Sequence, residues 1–430
     1  MTHIGLLCPS ASGHLNPMTT LGHELHQRGH RVTLVGTLDA QAKTLAAGLE
    51  FQAMGEAEFP LGVTQEALAK LGQLSGLAAF RYTIALFQQI TTSLLKDAPA
   101  AIKSAGIEFL IIDQTSFGGS TVAQLLDLPF VSVCCALMIN QDPYAPPFNL
   151  GWPYSPSGWA RFRNQMGYRL INLTAKPITK LIRDCREQWR LPPLKHPDDA
   201  FSPLAQLCQQ PAEFEFPRQS LPACFHFTGP YSNPDSRETT SFPFEQLTGQ
   251  PLIYASLGTV QNRLLGTFEA IAEACQHLNA QLVLSLGGGN NPDALPKFPG
   301  APMVVGFAPQ LALLRKATLT ITHAGMNTTL ESLAQGVPMV AIPIANDQPG
   351  VAARIAWTGT GEVVSLKKLT VLKLRTAIER VLQQESYRKN ALKLSNAIQQ
   401  AGGVRRAADI IEEVIHTGKP VLVQSSIQPP

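Results

Sequence analysis

Two histidines, with a few carboxylates and amides, are the residues most suited to chemistry. His14 lies in the run Gly13-His14-Leu15-Asn16-Pro17, just after the apolar stretch His3–Leu7. Asn16 and Pro17 have the types of an N-cap and a first helical residue, which would leave His14 in the loop before a helix. A helix N-terminus disfavours imidazolium, so a histidine there is suited to take a proton. Asp113 is the expected partner. It ends the apolar run Phe109-Leu110-Ile111-Ile112, where an unpaired charge is costly. Such a carboxylate would orient the ring and stabilise it once protonated. A solvated loop histidine is the alternative for His14.

The second concentration runs through Phe307-Ala308-Pro309-Gln310 and His323-Ala324-Gly325-Met326-Asn327-Thr328-Thr329-Leu330-Glu331 to Asn346-Asp347-Gln348. His323 ends an apolar strand, a glycine turn follows, and a helix is expected to start near Thr328. Free N–H groups at a helix start attract an anion, and small residues permit close approach. His323 and Asn327 add donors, so the pattern suits a diphosphate held without a metal. Thr328 and Glu331 equally have the spacing of a capping box.

The elements that must position these residues alternate. Strands are expected at 3–7, 31–35, 108–112 and 130–133, with a helix at 18–28 and a helix-length segment before 130. The rhythm breaks over 140–250, where prolines recur, and restarts with strands at 252–257, 281–286, 318–322 and 338–342 and a helix at 266–278. Alternation of this kind implies parallel α/β layers. The predicted organisation is an N-terminal domain over 1–230, a linker over 231–250, a C-terminal domain over 251–415 and a tail over 416–430. Ligands of such folds sit at the carboxyl ends of strands. His23, His26 and His30 are read as surface residues. Asp39 has the place of the ribose acid of a dinucleotide fold, but the first loop lacks G-x-G-x-x-G, which argues against a nicotinamide-dependent oxidoreductase.

From Phe307 to Gln348 the chain resembles the donor signature of the UDP-dependent family-1 glycosyltransferases, which have the GT-B fold of two Rossmann-like doubly wound domains facing a central cleft. The resemblance implies that uracil stacks on Phe307 and pairs with the Ala308 backbone. Gln310 and Glu331 would bind the ribose, and His323, Asn327 and Thr328, at the Gly325 turn, the diphosphate. Asp347 and Gln348, after Asn346, would receive sugar hydroxyls. Ser256-Leu257-Gly258-Thr259 resembles the family's other phosphate loop, and its alternative is a plain strand-to-helix turn. Gly287-Gly288-Gly289 is a weaker candidate for lining the nucleotide pocket. Phe307 and Met326 stand where plant members have tryptophan. The implied activity is inverting transfer of a hexose, glucose by the Asp347-Gln348 pair, from a UDP-sugar to an acceptor hydroxyl, with His14 as base, Asp113 as its partner and no metal or other cofactor. A GT-B-fold UDP-sugar epimerase and a non-catalytic UDP-sugar-binding protein are the alternatives.

The acceptor side is read from texture. Phe80, Ile84 and Phe87 have helical spacing and face either an acceptor or a core. Patches at 59–62, 71–77 and 251–262 resemble bacterial zeaxanthin glucosyltransferases, which implies an apolar hydroxylated acceptor. Residues 161–190 hold eight cations against two carboxylates, interleaved with aromatic residues, so 152–190 is a candidate for peripheral membrane contact or a solvated helix face. The 430 residues are 45% hydrophobic and only 15% charged, with a net charge of +3. That balance argues against a nucleic-acid binder and against disorder. Seven cysteines without a CxxC pair, and the want of a signal-like N-terminus, point to reduced thiols, no zinc spacing and a cytoplasmic protein, with the inner membrane face as its candidate peripheral contact.

Overall fold

His-Ile-Gly-Leu-Leu and Phe-Leu-Ile-Ile-Asp are buried along their whole length, as strands covered on both faces must be. They are the centre of the first of two parallel sheets. The computed structural model describes residues 1–74, 76–233, 240–260, 264–288 and 290–423, and statements of number or absence refer to these. Gly289 of the glycine run, part of the expected linker and residues 424–430 of the expected tail lie outside them.

The first sheet contains β1 (His3–Leu7), β2 (Arg31–Gly36), β3 (Glu50–Ala53), β4 (Phe109–Asp113), β5 (Phe130–Cys134), β6 (Gln206–Cys208) and β7 (Phe225–Phe227) in the order β3-β2-β1-β4-β5-β6-β7. The second contains β8 (Leu252–Ser256), β9 (Gln281–Ser285), β10 (Met303–Val305), β11 (Ala317–Thr322), β12 (Met339–Ala341) and β13 (Gly361–Val363) in the order β10-β9-β8-β11-β12-β13. The helices of the first half are α1 (Ser12–Gln27), α2 (Gln41–Ala46), α3 (Val63–Leu71), α4 (Gly76–Ala105), α5 (Gly119–Leu125), α6 (Gly158–Thr174) and α7 (Lys176–Gln188). Those of the second are α8 (Leu265–Cys275), α9 (Gln310–Leu314), α10 (Met326–Ala334), α11 (Gln348–Trp357), α12 (Val371–Gln383), α13 (Glu385–Ala401) and α14 (Gly403–Thr417).

Each sheet is doubly wound, so its strand order reverses once, between β1 and β4 and between β8 and β11. The loops leaving the two strands at such a point diverge and open a crevice at their carboxyl ends. His14 follows β1 and Asp113 ends β4; Ser256 ends β8 and His323 follows β11.

Several expectations are corrected. Helix α1 begins at Ser12, so His14 lies in its first turn, and Pro17 lies inside the helix rather than at its first position. Ala11 caps without a side chain, and the Asn16–Pro17 pair misled because proline is tolerated near a helix start as well as at it. The irregular stretch 140–250 contains α6, α7 and the three-residue strands β6 and β7, too short to show a period. Helix α14 packs mainly on the first domain, not the second. Ala407, Ala408, Ile410, Ile411 and Val414 join the core around β1 and α1, and Arg28 of α1's end binds Asp409 and Glu412. The chain beyond it also returns to the first sheet, with the Val421 amide on the Leu204 carbonyl. Amphipathic spacing reveals a buried face but not which sheet buries it.

The domains share a core in which Leu137 and Phe214 of the first meet Met326, Leu330, Val351 and Ile355 of the second. Beside it Glu215 is buried with Arg354 of α11 (Nε to Oε2, 3.0 Å; Nη2 to Oε1), Arg218 (3.1 Å) and Gln210 (2.6 Å). Arg354 also stacks on Phe216, 4.3 Å from its centroid. Burial opposes the Glu215 charge, but the two guanidinium groups outweigh it and hold the carboxyl at about 2, against an ordinary 4.5. Its stabilisation is therefore complete above about pH 4.5 and fades as pH falls toward 2. Glu215→Gln leaves two buried cations facing a neutral amide and is expected to destabilise the protein by about 3–5 kcal/mol. A urea midpoint unchanged from the parent would refute this account.

Candidate active site

One cavity of about 1520 Å³ between the carboxyl ends of the two sheets is lined by His14 and Asp113, by Ser256, Gly258, Thr259, Phe307, Ala308, Gln310, His323, Gly325, Asn327, Thr328, Glu331, Asn346, Asp347 and Gln348, and by Phe80, Ile84 and Phe87. It is larger than a common single-ligand site of about 300–1,000 Å³.

On the first sheet, His14 Nδ1 lies 2.8 Å from Asp113 Oδ2. Asp113 is 1% exposed, and its other oxygen accepts from the Thr115 amide (2.7 Å) and hydroxyl (2.6 Å). Burial works against the carboxylate, yet attraction to His14 and hydrogen bonds from His14, Cys135 and Thr115 hold its pKa below the usual value. For His14 burial disfavours the charged ring, but the Asp113 charge, its hydrogen bond and the charge of Asp347 outweigh burial, and the pKa rises above 6.5. The expectation of a helix terminus keeping His14 neutral is thus reversed, because a carboxylate in contact exceeds the field of a helix end. Nδ1 is engaged, so Nε2 is the nitrogen open to a proton donor in the cavity. The thiol of Cys135 completes a group of metal-ligand types with His14 and Asp113, their atoms within 4.8 Å of one another. Residues 14, 113 and 135 share no sequence spacing, so a spacing rule does not detect them.

On the second sheet, α10 begins at Met326, with Gly325 as its N-cap and no side chain capping it. The amides of its first turn keep their capacity for an anion. Thr328 is therefore not a cap, and the capping-box alternative fails. Its hydroxyl faces Gln310 Oε1 (3.4 Å), and Glu331 Oε2 accepts from Gln310 Nε2 (2.6 Å). Tyr254 of β8, absent from the sequence reading, donates to Gln310 Oε1 at 3.1 Å. The available signal was a hydroxyl in a strand buried on both faces, which must find a partner. Thr115, two residues beyond Asp113, could have been found as a local side-chain turn.

His323 is framed by glycines. A Cβ on Gly258 would fall 2.6 Å from the ring, and one on Gly325 2.5 Å. Burial pushes its pKa down to about 4 against a bond to the Ser256 backbone, and its Nδ1 is buried without a partner. It is a neutral ring at ordinary pH. Ala324 beside it has φ +65° and Asn346 has φ +56°, left-handed conformations costing roughly 1–2 kcal/mol in L-residues. Phe307 is 58% exposed, and Gly288 lies against its ring, too close to accept a Cβ. Gly288 thus abuts the Phe307 ring. Gln348 Oε1 holds the Ile344 and Ala345 amides, and Asp347 Oδ2 accepts from the Leu137 amide of the first domain at 3.1 Å. Burial raises the Asp347 carboxyl despite that bond.

A further contact across the domains reaches the base loop. Pro17 has no N–H, so the Gly13 carbonyl has no intrahelical donor; it accepts instead from Asn327 Nδ2 of α10 at 3.0 Å. Asn327 Oδ1 accepts from Gln209 at 3.0 Å. On the periphery, Asp39 takes the amides of Gly62, Thr64 and Gln65 at the start of α3, a structural cap. Of the three helix-exit histidines only His26 is exposed; His23 meets the Ala47 carbonyl and His30 faces Glu412. An NMR titration is expected to place the His14 pKa above 6.5 and to find it lowered in Asp113→Asn. A value unmoved by that substitution would mean the carboxylate does not govern the ring.

A sequence profile of the family described as UDP-glucoronosyl and UDP-glucosyl transferase matches residues 5–402. The zeaxanthin glucosyltransferase of Pantoea ananas is 33% identical over 424 residues, 98% of this chain and 98% of that protein. That of Pseudescherichia vulneris is 33% identical over 422 residues, 96% and 98% of the two chains. Among solved structures, the glycotransferase of kitacinnamycin matches with a TM-score of 0.75 at 23% identity, covering 96% of this chain and 98% of its own. The calicheamicin glycosyltransferase matches with 0.74 at 23%, covering 98% and 100%. These structural likenesses establish the GT-B architecture, and the profile and the relatives establish more: the chain belongs to the UDP-glucoronosyl and UDP-glucosyl transferase family and is a glycosyltransferase.

Proposed function

We propose that the protein transfers a hexose, glucose, from its UDP-sugar to a hydroxyl of an apolar small molecule, with inversion. The observation that carries this is the His14–Asp113 pair opening into the same cavity as the uncapped start of α10. The exposed Phe307 ring takes the uracil and the Ala308 backbone pairs with it, while the Gln310–Glu331 pair takes the ribose. The diphosphate lies on the amides of α10 with His323, Asn327, Thr328 and the Ser256, Gly258 and Thr259 loop. Asp347 and Gln348, beside Asn346, receive the sugar hydroxyls.

His14 Nε2 removes the acceptor's hydroxyl proton as that oxygen forms a bond to the anomeric carbon. The bond from this carbon to the diphosphate oxygen breaks, and UDP leaves with the electron pair toward the helix start. Asp113 stabilises the imidazolium so formed. One displacement converts an α-linked donor into a β-glycoside. Because amide dipoles and a neutral His323 meet the leaving charge, no metal is assigned a role.

The acceptor lies toward Phe80, Ile84 and Phe87, where the cavity wall is apolar and Phe87 packs edge-on against Phe117 at 5.3 Å. Relatives named for zeaxanthin favour a carotenoid, with other isoprenoids and phenols as further apolar acceptors that carry a hydroxyl.

The test is UDP-glucose with a panel of hydroxylated isoprenoids and phenols, read by mass spectrometry. The expected product is acceptor plus one hexose, with a rate unchanged by a chelator. Free, altered UDP-sugar without a glycoside would favour epimerisation instead. His14→Ala is expected to lower kcat by about 10²–10⁴ while calorimetric donor binding persists. Undiminished transfer in that variant would remove His14 as the base. In the parent kcat/KM should fall with acidity through a pKa above 6.5, since His14 must be neutral to act.

A further inference from the structure

Helix α6 has two dissimilar faces. Ala160, Asn164, Gly167 and Tyr168 are buried against the first domain. Trp159, Phe162, Met166, Leu170 and Leu173 are 71%, 52%, 44%, 61% and 55% exposed. Steps of three and four residues place these five within an arc of roughly 80°. Such a stripe ordinarily faces a core, and here it faces outward. The Trp159 and Phe162 rings lie 5.8 Å apart at its start.

Arg169, at the edge of the stripe, reaches the Met166 sulfur at 3.7 Å, while Arg161, about 100° round the helix from Phe162, lies over the Tyr144 ring at 4.7 Å. Asp184 is shared by Lys180 and Arg183, and among the described residues no carboxylate pairs with Arg161, Arg169 or Lys176. The last turn of α6 also walls the cavity: Ile171, Thr174 and Ala175, with Ile178 and Ile182 of α7, line it. Leu170 and Leu173, their neighbours, point outward, so stripe and cavity wall are two sides of one turn.

We propose that α6 docks on an anionic lipid bilayer, with the Trp159–Leu173 stripe at the boundary of headgroups and acyl chains, and that the acceptor enters the cavity from the bilayer along residues 170–175. The entry route rests on the apolar acceptor proposed above; the docking does not. A second copy fits the stripe less well. It exposes on the order of 500 Å² of apolar surface, against roughly 800 Å² per partner in a standard interface. Its bordering cations would also face each other across a two-fold, whereas anionic headgroups attract them. An exposed Trp beside a polar rim is the usual occupant of the bilayer interface.

The test is flotation of the full chain with phosphatidylcholine vesicles with and without phosphatidylglycerol. The protein is expected to float with the anionic vesicles and to be released by salt. Phe162→Glu/Leu170→Glu and Arg169→Glu/Lys176→Glu are each expected to reduce partitioning by about 10-fold or more. None of these four residues lines the cavity, so transfer to a water-soluble phenol should be unchanged in both variants. Transfer to an acceptor dissolved in anionic vesicles should fall with binding. A parent protein that stays at the bottom of the gradient, variants that float as it does, or a dimer dissociated by Phe162→Glu/Leu170→Glu would each overturn docking. Loss of vesicle binding with undiminished transfer to the vesicle-dissolved acceptor would overturn the entry route. Intact, stripe-dependent flotation with no transfer to any acceptor would support docking and count against the glycosyl reading.

Discussion

The site exists only because the carboxyl ends of two parallel sheets are held facing each other, and the buried Glu215 is central to that constraint. It lies between two sheet-forming strands of the first domain and binds Arg354 of the second. Removing either charge leaves the other stranded in a dry junction, so the pair acts as a latch with little tolerance. The shared apolar cluster of Leu137, Phe214, Met326 and Leu330 excludes water around it. The same junction brings the Leu137 amide to Asp347 and the Asn327 amide to the Gly13 carbonyl. The loops proposed to hold the donor and the base are thereby fixed to each other.

Within that frame two histidines are tuned in opposite directions. His14 contacts a buried carboxylate and is pushed toward its charged form; His323, with no carboxylate against it, is pushed down to about 4. Neither effect comes from the strand-end position they share. A ring that is to gain a proton, as proposed for His14, needs a partner able to stabilise the result, and a ring proposed to meet a departing anion as a neutral group needs only burial and a fixed orientation. Gly258 and Gly325 provide that orientation by leaving room for nothing larger than themselves against the His323 ring.

The low overall charge also acquires a place. Nine charged residues occur in 251–350, the stretch of the proposed donor site, while seven of the eight cations of 161–190 lie on α6 and α7 beside an exposed apolar stripe. A charge-poor stretch thus surrounds the uncapped start of α10, and a cluster of cations lies apart from it on one outer helix pair.

Much of this was legible in the chain itself. Buried strands are continuous apolar runs, so β1, β4, β8 and β11 could be read directly, and with them the two carboxyl ends where His14, Asp113 and His323 stand. The residue types after those strands pointed to a base, a partner and an anion cradle, and the signature from Phe307 to Gln348 pointed to the family. Local pattern fails where partners are distant. It could not tell that α14 returns to the first domain, that Glu331 pairs with Gln310 rather than capping a helix, or that Tyr254, Cys135 and Leu137 enter the site. It also misjudged His14, because a proton affinity depends on which charge comes within contact distance, and that is decided by tertiary packing. Residue type and periodicity determine elements and chemical capability; only the packed sheets decide which capabilities meet, because Coulomb and hydrogen-bond energies act over a few ångströms and not along the chain.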